Sequence, residues 1–238
     1  MMLGGDTWGG VQQVHNRAGM LSSTLLPSDL SPDTPYLLAP CETHPVYNVT
    51  GADWMAAQNP DLKRAVMAAQ DDNLGKPSVA TFSAAFEARG IDMVKEPLFY
   101  DPGTTDFAPI VSSLLAADPD VFCLDTAYKP AVHALTKELQ SQGYEGQLIS
   151  CTCDGYSELV EKVGKDYMDG FIFQFPDFDD PMLEQQQVNF ERPIEFFEEY
   201  QKRWPGEWTA VSWEYPAIMD LVEGFGRKGR QHRADGRA

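Results

Sequence analysis

Three short stretches carry most of the side chains that could do chemistry. They are Asp71-Asp72-Asn73-Leu74, Thr126-Ala127-Tyr128 and Asp154-Gly155-Tyr156. Each follows an apolar run ("AVMAAQ", "VFCLD", "LISCTC") that reads as a buried strand. A carboxylate facing an ammonium group makes strong charge-assisted hydrogen bonds. A tyrosine offers apolar area and one hydroxyl. The tips therefore suit the binding of a small polar ligand. Two of these residues also have a plainer use: Asp154 can cap the helix that follows it, and Tyr128 can stand as a surface aromatic.

Other groups point less clearly to chemistry. Gly103-Thr104-Thr105-Asp106 has too few glycines for a phosphate loop and no Lys followed by Ser or Thr. It reads instead as a helix start, with Thr104 or Thr105 as N-cap and Asp106 at the positive end of the helix dipole. Cys41, Glu42, His44, Cys151 and Cys153 match no zinc spacing. A cysteine nucleophile would need His44 or His133 as its base, and His133 falls inside a helical pattern as a surface or semi-buried residue. Sparse cysteine gives no disulfide framework. Asn48-Val49-Thr50 has the form of a glycosylation sequon. No catalytic residue, metal ligand or cofactor is assigned, and the expectation is a protein that is not an enzyme.

The elements around the tips alternate. "KRAVMAAQ" (63–70) reads as a strand and "LGKPSVATFSAAFEARG" as a helix stopped by Gly90. "IDMVKEPLF" reads as one strand. Phe107, Ile110, Val111, Leu114 and Leu115 form one apolar helix face, and Val121 to Leu124 a buried strand. "KPAVHALTKELQSQGY" is a helix stopped by Gly143, "GQLISCT" a strand, "SELVEKVG" a short helix and "GFIFQFP" a strand. This order predicts a doubly wound α/β fold, a parallel sheet covered on both faces. The first sixty residues resemble a piece of a second such unit. "MMLGG" is a strand end, "VQQVHNRAG" a helix, "MLSSTLL" a strand, "PSDLSPDTPY" a loop and "YNVTGADWMAAQ" a helix. Two further helices, "ERPIEFFEEYQKRW" and "AVSWEYPAIMDLVEGF", follow the linker 179–188.

Composition narrows the partners. The 238 residues include 36 acids and 18 bases, a net charge of −18, which disfavours nucleic acid and anionic membranes. The 43% hydrophobic content is that of a globular chain. No apolar run is long enough to span a membrane, and "MMLGGDTWGG" lacks the basic start and apolar core of a signal peptide. The last twelve residues, "RKGRQHRADGRA", hold five of the bases and one acid. Such a tail can bind acidic partners or remain disordered.

The segments "RAVMAAQDDNLGK", "FEARGIDMV" and "PGTTDFAPIVSSLLAADPDVFCL" resemble the second lobe of type I periplasmic substrate-binding proteins. More narrowly, they resemble the branched-chain amino-acid (Leu/Ile/Val) binding family of ABC importers, with Gly103-x-x-Asp106-Phe107 as the strongest mark. "GDTWGG", "PSDLSPDTPY" and "SWEYPAIMDLVEGF" resemble first-lobe segments more weakly. The resemblance implies a two-lobed fold with lobe one incomplete and a chain truncated at both ends. Residues 1–60 would be partial lobe one, 61–178 lobe two, 179–226 return helices to lobe one, and 227–238 a basic, disordered tail. An incomplete lobe exposes a sheet edge and could drive homo-oligomerisation.

The same resemblance implies a periplasmic solute-binding component. It would close on a small amino-acid-like or carboxylate ligand and hand it to the membrane permease of an ABC importer. By resemblance, Tyr128 packs on the ligand and Asp154 pairs with its amino group, while Leu74 stands where the family has an aromatic. From lobe one, Thr7 and Ser28 match the loops that hold a ligand carboxylate, and Trp8 could stack on an aromatic ligand or pack in the core. The rival readings are a ligand-sensing regulatory domain of the same fold, an enzyme on a doubly wound fold, and an inactive fragment.

Overall fold

The computed structural model describes residues 2–3, 5–24, 30–38, 44–72, 75–125, 129–150, 156–173 and 193–205. A small parallel sheet comes first. It comprises β1 (Met2–Leu3), β2 (Ser22–Thr24) and β3 (Leu37–Leu38) in the order β1-β2-β3, with α1 (Gly5–Arg17) between its first two strands. α1 begins six residues before the predicted "VQQVHNRAG", so the Asp6-Thr7-Trp8 segment expected as a loop is helix. Gly9 and Gly10 argue locally against helix at about 1 kcal/mol each. Gly19, at φ +63°, ends the helix.

The main sheet has six strands and is also parallel. β4 (Arg64–Gln70), β7 (Val121–Asp125) and β8 (Gln147–Ser150) lie side by side, β9 (Ile172–Phe173) flanks β8, and β5 (Asp92–Met93) and β6 (Leu98–Tyr100) share the far side of β4. The helices are α2 (His44–Gln58), α3 (Gly75–Glu87), α4 (Ala108–Leu115), α5 (Lys129–Ser141), α6 (Tyr156–Val163), α7 (Lys165–Met168) and α8 (Pro193–Arg203). The expected α/β class with a parallel sheet is what the chain adopts.

Period-two alternation splits the core into two layers. Val66, Ala68, Phe122, Leu124 and Leu148 point toward Val111 and Leu114 of α4, Val132, Leu135 and Leu139 of α5, and Leu159 of α6. Ala65, Met67, Ala69, Val121, Cys123 and Ile149 point the other way, toward Ala52 and Met55 of α2 and Val79, Phe82 and Phe86 of α3. All of β7 is buried, as a strand covered on both faces must be. α2, within residues 1–60, thus packs on the six-stranded sheet.

Three expectations are corrected. "IDMVKEPLF" is two strands, because Pro97 has no N–H to give a ladder. The Val94 N–H still donates to the Ala65 carbonyl at 3.0 Å, and residues 95–97 lie between that bond and the Leu98↔Ala68 pairing. Neither Thr104 nor Thr105 caps α4. Phe107 is its N-cap residue, with no side-chain cap bond, while Asp106 Oδ1 accepts from the Ala108 N–H at 3.1 Å. His133 is buried rather than superficial, its Nδ1 2.7 Å from Lys162 Nζ. The two C-terminal features, "AVSWEYPAIMDLVEGF" and the basic tail, lie outside the described residues, as does the linker 179–188.

Candidate functional site

The strands of a parallel sheet all deliver their carboxyl ends to one edge, and in open α/β sheets ligands bind beyond that edge. Here the three central strands end on polar residues: Gln70 in β4, Asp125 in β7 and Ser150 in β8. The registers Ala69↔Asp125 and Leu124↔Ser150 make them neighbours. All three are buried, Asp125 and Ser150 completely.

The first tip is built around Asp72. Its Oδ2 accepts from Gln70 Nε2 at 2.8 Å, and its Oδ1 accepts from the Gly75 N–H at 2.7 Å, capping α3. The Asp71 N–H donates to the Tyr100 carbonyl at 2.8 Å, and its carboxylate pairs with exposed Lys76 at 2.8 Å. Both acids of the tip therefore hold local structure.

Behind the second tip a polar chain crosses three elements. The Ser78 hydroxyl of α3 donates to Asp125 Oδ1 at 2.8 Å. Asn48 Nδ2 of α2 donates to both the hydroxyl and the carbonyl oxygen of Ser78, each at 3.1 Å. Asn48, Ser78 and Asp125 are all 0% exposed. The sequon asparagine is thus enclosed in the fold and cannot present its amide for glycosylation. This chain was not read from the sequence. The one available signal was a polar residue closing the apolar run "VFCLD".

Of the expected contacts, Leu74, Tyr128, Asp154 and Ser28 lie outside the described residues. Thr7 and Trp8 fall in the first turn of α1, where only their backbone is described. Cys123 is buried in β7 as a free thiol, and Cys41, Cys151 and Cys153 lie outside the described residues. Among the described residues no three His, Cys, Asp or Glu side chains gather as metal ligands. Nor is any described helix long and apolar enough to cross a membrane.

The opposite edge holds a groove of about 430 Å³, lined by Asp120, Glu145, Gly146, Gln147, Tyr167 and Asp169 among others. Its polar groups hold the loops at the strand starts. Asp120 Oδ2 accepts from the Lys63 and Arg64 N–H groups at 2.8 and 3.0 Å, and Gln147 Nε2 donates to the Gly170 carbonyl at 2.6 Å. Burial pushes the Tyr167 hydroxyl up to about 12. It pushes Tyr144 further still, with help from neighbouring Tyr167 and Asp120.

The geometry amounts to a parallel α/β sheet with buried polar residues ending its three central strands. The chain belongs to the periplasmic binding protein family, whose pattern it matches over residues 1–236, a family of binding proteins rather than of enzymes. Among solved structures it is similar to a leucine-binding protein, LivK, from Thermotoga maritima, at 18% identity and a TM-score of 0.71, over 92% of this chain and 61% of that one. It is also similar to a fatty-acid ABC transporter substrate-binding protein from Thermomonospora curvata, at 18% identity and a TM-score of 0.73, covering 91% and 55% of the two chains. A third is a solute-binding protein of an ABC transporter from Rhodopseudomonas palustris, in complex with 3,4-dihydroxybenzoic acid, at 18% identity and a TM-score of 0.65, covering 92% and 59%. These likenesses show the fold, and the chain spans less than two thirds of each relative's length. No curated protein matches the sequence.

Proposed function

We propose that this chain is the solute-binding part of an ABC importer and takes a small carboxylate-bearing ligand at the carboxyl edge of its six-stranded sheet. The observation that carries the reading is that edge, where Gln70, Asp125 and Ser150 end adjacent strands in a chain of a binding-protein family. Leucine, a fatty acid and dihydroxybenzoic acid, bound by the three similar proteins, differ in their apolar parts and share a carboxyl group. The class is therefore proposed at that level, not as branched-chain amino acids alone.

Under this reading Tyr128 packs on the ligand, and Asp154 pairs with an amino group where the ligand has one. Leu74 supplies an aliphatic surface. Thr7, Trp8 and Ser28 of the first unit meet the ligand's other side. The ligand passes to a membrane permease on the periplasmic face.

A thermal-shift series with leucine, octanoate and 3,4-dihydroxybenzoate tests it. A ligand that binds only the folded state raises Tm with concentration. A saturable rise with at least one of them, lost in the Tyr128→Ala/Asp154→Ala double variant, is the expected result. A cooperative melt that none of the three moves would refute the carboxylate class, and a rise that the double variant keeps would refute the site.

A further inference from the structure

A carboxylate in a protein core costs free energy unless its bonds are well made. Asp125 follows Val121 and Cys123 on the face of β7 that meets α2 and α3. An aliphatic residue there would carry no charge to desolvate, so burial alone does not require an acid at this position. The acid is held by a hydroxyl from α3, which is held in turn by an amide from α2. The partners are 47 and 30 residues apart in sequence. Bonds of this kind, side chain to side chain, are the minority class in folded proteins. They fix the relative position of elements whose backbones are already satisfied within themselves.

The placement of the chain matters. Asn48 lies in the first half of α2, the helix that follows β3 of the small sheet. Asp125 is the last residue of β7 and is bonded directly to Thr126-Ala127-Tyr128. The far end of α2 approaches the other edge of the sheet, where Asn59 and Leu62 line the groove beside Asp120 and Gln147. α2 therefore runs along the whole layer, and its early half is tied at the carboxyl edge.

We propose that Asn48, Ser78 and Asp125 form a positioning chain that ties the tip of β7 to α2. The carboxyl end of β7, at the edge proposed to take the ligand, is then held in register with α2. This rests on the binding reading above for its ligand part, but the mechanical tie is independent of any ligand.

The test is amide hydrogen exchange on the full chain, comparing wild type with Ser78→Ala and Asp125→Asn. Ser78→Ala removes two side-chain bonds of the tie, the one to Asp125 Oδ1 and the one from Asn48 Nδ2, and leaves Asn48 on the residue 78 carbonyl. The expected result is exchange faster by roughly tenfold at 44–50 and at 125–133, with 64–68 and 147–149 unchanged. Asp125→Asn keeps the volume and an acceptor oxygen, and is expected to stay within about threefold of wild type at the same peptides. Acceleration spread evenly over β4, β7 and β8 would show a merely structural core residue and overturn the proposal. So would no change at 125–133. Should Ser78→Ala fail to fold, Asn48→Ala tests the α2 end alone: it leaves the Ser78–Asp125 bond in place, so faster exchange is expected at 44–50, and no change there would overturn the proposal. The same variants are then titrated with whichever of the three probes shifts the wild type, with about tenfold weaker binding expected for Ser78→Ala. If no probe shifts the wild type, the carboxylate reading fails while the exchange pattern still decides the tie.

Discussion

The two edges of the six-stranded sheet are built by different means. At the amino edge, side chains bond to backbone. Asp120 takes the N–H groups of Lys63 and Arg64, Arg64 Nε donates to the Asp118 carbonyl at 2.8 Å, and Gln147 donates to Gly170. Such bonds close loops onto the strands they feed. At the carboxyl edge, side chains also bond to one another, Ser78 to Asp125 and Asn48 to Ser78 across elements and Gln70 to Asp72 within one tip. The first arrangement anchors connections, whereas the second places buried polar groups where three adjacent strands end. Among the described residues a groove lies at the amino edge, whereas the ligand edge proposed above is the other one.

The layer shared by both edges should show the largest effect. Phe122 is fully buried in β7 and meets Tyr144 edge-on, with ring centroids 6.1 Å apart. Phe122→Ala should cost about 3–5 kcal/mol in denaturant unfolding and loosen both edges together. A loss confined to one edge would mean that the two do not share one cooperative core.

Gly146 tests the amino edge alone. A Cβ there would clash with the Tyr144 phenol and lie 2.7 Å from the Asp120 carbonyl oxygen. Gly146→Ala should therefore cost about 1–3 kcal/mol by forcing backbone to move. Exchange at 125–133 should stay at the wild-type rate, and an equal acceleration there would erase the contrast between the edges.

The smallest expected effect depends on pH. Tyr144 and Tyr167 ionise less readily in the folded chain than in the unfolded one, where a tyrosine has a pKa of about 10. The folded state keeps protons that the unfolded state releases, so this contribution is intact below pH ~10 and is lost as pH rises toward ~12 and beyond. Urea midpoints of the Tyr144→Phe/Tyr167→Phe variant should fall less steeply than those of wild type between pH 9 and 11. Parallel slopes would mean that the two hydroxyls are not desolvated as the structure places them.

Much of the fold was legible locally. The runs "RAVMAAQ" and "VFCLD" are too apolar for a half-exposed strand, and they became the doubly covered centre of the sheet. Gly90 and Gly143 were readable as helix stops, and both take positive φ. The α4 face of Phe107, Val111 and Leu114 was legible from its period, but its cap was not. Which polar group reaches a free N–H depends on turn geometry, and Asp106 reached it rather than a threonine.

What the sequence determined by itself was the class of fold, its strand and helix order, and the edge at which polar residues gather. Those follow from periodicity, from turn residues, and from the rule that strands of a parallel sheet end together. Tertiary structure alone decided that α1 starts at Gly5, that Pro97 splits one strand into β5 and β6, and that α2 lies on the six-stranded sheet. It alone brought Asn48, Ser78 and Asp125 into one buried chain. Each of these depends on contacts between residues tens of positions apart, and no local pattern records which distant side chain will meet a buried donor.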